Sequence, residues 1–407
     1  MDLYLLDWVN FLLRWTHVVV AIAWIGSSFY FVFLDSSLVE PTDAELREKG
    51  VGGELWAVHG GGFYNPHKYL GAPRRIPDNL HWFYWESYST FLTGFALFTA
   101  LYLFQASTFL IDPRVHAWTP APAIACALAF LVVFWIGYDA ICRLFDQGNQ
   151  AVAGALVAAL VVFASWLACD LFAGRAAFVL VGAMMAASMS ANVFFWIIPG
   201  QRKVIAQMKA GEPVDPAHGR RAKQRSVHNT YFTLPVLAAM LSNHYAFLHG
   251  AEGNWLVLVI VMAAGALVRT SFVARHRALV LGKRVPWEYA GIGCALLVGL
   301  AVWLAPKPQA APANSASTST APASAAAGAT FAQVQGIVKE RCSLCHNAQL
   351  ANKGVRLDAP DQILAHAPQM YQQAVVLKAM PLNNATQITD AERAVLKQWY
   401  ESGAHPE

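Results

Sequence analysis

Up to residue 305 the chain alternates long unbroken apolar runs with short polar connections, and the runs recur at about 20 residues, the length a helix needs to cross a bilayer core. Eight such runs predict eight transmembrane helices, over 9–34, 82–105, 123–144, 151–172, 176–198, 230–248, 255–273 and 287–305. Beyond them the pattern changes twice. In 306–328, 19 of 23 residues are Ala, Pro, Ser or Thr, so the segment has nothing to bury and reads as a disordered linker. From 329 to 407 the amphipathic spacing of a small soluble domain returns. The expected architecture is all-α: a polytopic eight-helix bundle over 1–305, the linker, and a C-terminal domain.

Composition sharpens this picture. Only 13% of residues are charged, against roughly 25% in an average soluble domain, while 56% are hydrophobic. These values exclude an ordinary soluble enzyme and a globally disordered chain, and membrane lipid becomes the expected surrounding. A net charge of +4 gives no footprint for nucleic acid, so no such partner is expected.

The basic residues lie mainly on alternate connections. The first carries Arg47, Lys49, Lys68, Arg74 and Arg75, the fifth seven cations from Arg202 to Arg225, and the seventh Arg275, Arg277, Lys283 and Arg284. On the other side only Arg114, Arg175 and Lys307 stand near span ends. The positive-inside rule makes the richer side cytoplasmic. The N-terminus and, after an even number of spans, the C-terminal domain are then periplasmic, in a bacterial inner membrane.

Cys342-Ser343-Leu344-Cys345-His346 is a C-x-x-C-H motif. Two thiols at this spacing add to the haem vinyl groups, and the adjacent imidazole reaches the iron. A zinc site would need a second ligand pair, and a redox dithiol a βαβ context, and neither is present. One covalent haem c on Cys342 and Cys345, with His346 on the metal, is expected. Candidates for the sixth ligand are His366, Met370, Met380 and His405; Met380, before Pro381, is favoured because the proline stiffens a loop that can carry the thioether. Thr389 and Glu392 form a capping box opening a last helix with Leu396, Trp399 and Tyr400. The layout resembles a small class I cytochrome c.

Polar residues inside apolar runs are expensive and mark function. His17 shares a small-residue face with Ala21 and Ser28, and His244 falls at a similar depth. Two readings stand: a b-type haem between them, or two structural histidines. Nearer the cytoplasmic face lie Glu86, Asp139, Arg143, His228, Asn229 and Arg269, where the four-residue spacing of Asp139 and Arg143 predicts an ion pair. The first connection carries Gly60, Gly61 and Gly62 amid His59, Tyr64, Asn65 and Lys68, which reads as a ligand loop or as a turn.

The stretches Arg14-Trp-Thr-His17, Glu54 to Tyr69, His228-Asn-Thr-Tyr231 and Ser242-Asn-His-Tyr245 resemble the membrane-bound cytochrome c urate oxidases, in which an eight-helix domain precedes a periplasmic cytochrome c. The resemblance implies urate hydroxylation to 5-hydroxyisourate in purine catabolism, with water as oxygen source. Electrons would pass through haem c to a soluble cytochrome c or a terminal oxidase of the respiratory chain. A planar, weakly acidic purine needs a base, a cation and stacking aromatics. His59 and Lys68 are the expected catalytic pair, with Tyr64, Asn65, Asn229 and Arg269 binding substrate. The competing readings are a cytochrome subunit relaying electrons from a quinol- or dehydrogenase-linked enzyme, and a non-catalytic carrier module with a redox tail.

Overall fold

A computed structural model of the chain describes residues 2–71, 73, 76–305, 329–348 and 355–406. The 306–328 segment, with Lys307, lies outside the described residues, as do Arg74 and Arg75.

The protein is mostly helical. Its long helices are α1 (Asp2–Ser37), α2 (Trp85–Phe98), α3 (Pro120–Leu144), α4 (Gln150–Leu171), α5 (Gly174–Asn192), α6 (Ile198–Ala210), α7 (Pro216–Leu241), α8 (Asn254–Val280), α9 (Glu288–Trp303), α10 (Phe331–Arg341) and α11 (Asp390–Glu401). A helix stands at each predicted run, and among the described residues five stretches are long and apolar enough to cross a membrane: Trp8–Ser37, Pro120–Leu144, Gln150–Leu171, Gly174–Ala210 and Asn254–Val280. The others fall short for separate reasons. The α2 helix has 14 residues before its ladder widens to a π turn at Thr99–Leu103, α9 has 16, and the first half of α7 is rich in Arg, Lys and His.

The core centres on α5. Of its most apolar window 67% is buried, against 0% for that of α1. The α5 helix packs on α2, α3, α4 and α7, whereas α1 lies at the edge against α2 and α8. Side chains of α1 such as Trp15, Val19 and Ile22 therefore face outward, which suits a helix whose surroundings are themselves apolar.

Two small antiparallel ladders interrupt the helical pattern. Strand β1 (Val51–Glu54) pairs with β4 (His67–Tyr69), and β2 (Ala57–His59) with β3 (Gly62–Tyr64). Gly60 and Gly61 join β2 to β3 with φ of +58° and +78°, the pair of left-handed residues that a two-residue hairpin demands. The turn reading therefore accounts for two of the three consecutive glycines.

The C-terminal domain has its own core of Phe331, Val334, Val338, Leu357, Ile363, Met370, Leu396 and Trp399. Capping boxes start both α10 (Thr330 with Gln333) and α11 (Thr389 with Glu392). The two helices meet where Phe331 stacks on Trp399 at 5.6 Å.

Candidate functional site

Four elements of the bundle bring polar groups together at the end that carries the basic connections. The α3 helix supplies Tyr138, Asp139, Cys142 and Arg143, and α5 ends at Asn192. The π turn Val193–Ile197 supplies Trp196, and α7 supplies Arg221, Arg225, His228 and Asn229 along one face at helical spacing. A π turn inside a helix re-aims the side chains that follow it and is frequent at functional sites.

The Asp139 carboxylate, 5% exposed, is the hub. It accepts from Arg225 Nη2 at 2.7 Å, Arg143 Nε at 2.6 Å and Trp196 Nε1 at 2.8 Å. The predicted Asp139–Arg143 pair thus exists, as part of something larger. Arg225 lies between the rings of Tyr138 and Trp196, 5.1 and 5.2 Å from their centroids. It is 2% exposed, and its Nε and Nη1 have no hydrogen-bond partner.

A neutral relay adjoins this charged group. Asn192 donates to the Tyr138 hydroxyl and to Asn229 Oδ1, both at 2.9 Å, and Asn229 donates to the Met189 carbonyl at 3.1 Å. The Tyr138 hydroxyl lies 3.1 Å from His228 Nδ1, and Asn192 Oδ1 remains unpartnered. Buried polar atoms are normally satisfied, because each orphan costs roughly 1–3 kcal/mol. Two guanidinium donors and an amide acceptor left open in one network suit a planar heterocycle carrying both acceptors and donors. The Tyr138–His228 pair can hold or move a proton beside it.

The residues expected from the sequence divide between two regions. His59, Tyr64 and Lys68 are exposed on the hairpins; Lys68 pairs with Asp35, and Asn65 donates to Glu54 Oε2 and the Leu55 carbonyl at 3.2 Å. Asn229 belongs to the buried network, and among the described residues it shares no hydrogen-bond partner with that hairpin group. Arg269 on α8 is 3% exposed, lies 3.6 Å over the Phe29 ring and leaves Nε and Nη2 unpartnered.

Sequence reasoning passed over Tyr138, Asn192 and Arg225. Arg225 looked like one more cation of a basic connection, yet α7 begins nine residues earlier at Pro216 and carries it inside. Polarity within an apolar run was the available signal for Asn192; Tyr138 offered none.

A cleft of about 90 Å³ reaches Trp196 and Arg221 from the side of Pro199, Lys203 and His218. A larger concavity of about 390 Å³ is lined by Asn79, His81, Trp82, Tyr84 and Trp85. Its aromatics, with Trp85 exposed and Trp82 and Tyr84 half-buried, fit the belt at a membrane–water boundary, and the orphaned Arg225 donors lie in the buried network instead.

His17 Nδ1 lies 3.1 Å from Thr93 Oγ1, and its ring fills the space left by Gly94, where a Cβ would come within 2.8 Å of Cε1. His244 closes a 3₁₀ turn after α7 that packs on α5 and α7. His17 accordingly faces α2, on the edge helix α1.

In the C-terminal domain the C-x-x-C-H turn follows α10. His346 Nδ1 lies 3.1 Å from the Val355 carbonyl, a contact that orients the ring and leaves Nε2 for a metal. Cys342 is half-buried and Cys345 exposed. Burial pushes the free Cys342 thiol up to about 11. Met370 is 7% exposed within the core, whereas Met380 is 36% exposed on a loop. This donor set fits a covalently attached haem, with Met380 the freer thioether. Among the described residues no cluster of three or more His, Cys, Asp or Glu stands ready to hold a metal ion.

Apolar helices long enough to cross a membrane, packed around a buried polar network, mark the class as that of a membrane protein. The urate oxidase N-terminal family model matches residues 3–305, most of the chain, and the protein belongs to that family. The family points to a urate-related oxidoreductase. No curated protein and no solved structure matches the chain.

Proposed function

We propose that the bundle binds and oxidises urate and that the electrons leave through a haem c held by the C-terminal domain. The observation that carries this reading is the open guanidinium edge of Arg225, buried in the segment the family matches. Arg225 meets the acidic purine and its carbonyl oxygens, and Asn192 and Asn229 supply in-plane hydrogen bonds. Water adds at the oxidised purine carbon. Urate plus water gives 5-hydroxyisourate, two electrons and two protons, and His228 with Tyr138 accepts a proton on the way. His59 and Lys68 on the hairpins serve the approach of substrate from the cytoplasmic side.

Cys342, Cys345, His346 and Met380 would hold the haem, which supplies one-electron redox chemistry. A soluble cytochrome c or a terminal oxidase takes the electrons onward. The apolar runs support eight spans, and the charge asymmetry supports a C-terminal domain in the periplasm of a bacterial inner membrane. Contact of that domain with the bundle end remote from the basic connections supports it.

Anaerobic addition of urate to the purified protein tests the whole reading. The haem absorption should change to the reduced form with urate alone. Reduction by dithionite but not by urate would overturn it and favour a relay subunit. Acid–acetone extraction of the same sample addresses His17 and His244: extractable haem would assign them a b-type haem, and wholly non-extractable haem would leave them structural.

A further inference from the structure

The C-terminal domain rests on the bundle through a specific piece of each. The short helix Ala106–Phe109 packs against the turn Leu382–Asn384. Beside it, a Cβ placed on Gly250 would lie 3.5 Å from the Leu377 carbonyl. Met380 sits between Leu377 and Leu382, so the segment that touches the bundle is the one carrying the favoured sixth ligand.

The side chains at this contact carry opposite charges. On the bundle, Asp112 is 6% exposed and binds Arg114 through the backbone amide at 3.0 Å and the guanidinium at 2.6 Å. On the domain, Arg393 is 4% exposed and donates to the carbonyls of Ala374 and Met380, the latter at 3.0 Å, and to Asn384 Oδ1 at 3.4 Å. One guanidinium thereby ties down both ends of the Met380 loop. Among the described residues no carboxylate lies within ion-pair distance of it. Burial holds Arg393 below its ordinary value, Arg114 pushes the same way, and Asp390 and Asp112 pull back. Asp390 is held below the usual carboxylate range chiefly by Lys378, with Arg114 adding to the effect across the contact.

We propose that residues 106–114 are the docking surface for the C-terminal domain, engaging the Met380 loop and steered by the charges of Asp112 and Arg114 against Arg393 and Asp390. The contact is small and would be weak between separate molecules. With only 23 residues between the two parts, it acts at the effective concentration of a tethered partner and needs little intrinsic affinity. Docking turns the Met380 side of the domain toward the bundle, where electrons arrive in the proposed function. That function gives the contact its purpose, whereas its test needs neither urate nor redox chemistry, so the two can fail separately.

The test uses the full chain in membranes with its linker intact, cysteines introduced by Ser107→Cys on the bundle and Ala385→Cys on the domain, and a protease site placed within 306–328. A short bis-maleimide is added while the domain is still tethered, the linker is then cut, and fragments that stay joined on a denaturing gel report docked protein. Joining should be strong at low ionic strength and fall as salt screens the contact. Arg114→Glu or Asp390→Lys should lower the joined fraction about twofold to fivefold at fixed salt, the range of an exposed ion pair. The double variant, with the charges exchanged, should restore joining, which also excludes misfolding as the cause. Joining no greater than for a control cysteine pair remote from the contact, or a double variant that joins as poorly as the singles, would overturn the proposal.

Discussion

Both parts of the molecule bury arginine, and Arg225 of the bundle and Arg393 of the C-terminal domain are satisfied in different ways. In the bundle, Arg225 meets a carboxylate and two aromatic rings and still has donors to spare. In the C-terminal domain, Arg393 spends its donors on two backbone carbonyls and an asparagine oxygen. A guanidinium bonded to carbonyls staples a loop. One held by Asp139 between flat rings has an edge still open for something planar. Burial alone therefore does not set the two apart; unfilled hydrogen-bonding capacity does.

This contrast can be broken most severely at the haem motif. Cys342→Ala or Cys345→Ala should abolish most covalent haem on a haem-stained gel and leave urate binding by the bundle intact. Next in size is Arg225→Ala, which leaves Asp139 with one cation fewer in a buried site. We expect a loss of about 3–5 kcal/mol in unfolding measured in detergent, together with loss of urate binding by calorimetry. Arg393→Ala, by contrast, should spare urate binding.

The two methionines sharpen the comparison within the C-terminal domain. Met370→Ala removes a core side chain and should cost about 2–5 kcal/mol of that domain's stability, while the far-red sulfur-to-iron absorption band persists. Met380→Ala should do the reverse, removing the band with little loss of stability. Persistence of the band in Met380→Ala would move the ligand to another group.

The smallest effect concerns pH. Burial pushes the Glu392 carboxyl up, but the Thr389 amide and hydroxyl and Arg341 outweigh it, and the group sits below its ordinary value. A depressed carboxylate contributes stability that is fully present above its unfolded value, about 4.3. That contribution fades as pH falls through the lower folded value. Melting of the C-terminal domain should decline on acidification below about pH 4, and Glu392→Gln should shallow that decline.

Much of this protein could be read from local sequence. Apolar run length placed the helices, Thr389 with Glu392 announced a helix start, and the spacing of Asp139 and Arg143 predicted their pair. Each of these rests on contacts within a few residues, so the chain determines them before it folds. Tertiary structure alone decided that Tyr138, Asn192 and Arg225, from three different helices, form one network. It also decided that Met370 fills a core while Met380 stays on a loop, and that Gly60 and Gly61 make a turn. The physical reason lies in the apolar helices themselves. A helix that meets lipid on one side and protein on the other is apolar all round, so periodicity no longer says which face turns inward. Only the packing of α3, α5 and α7 selects the residues that meet.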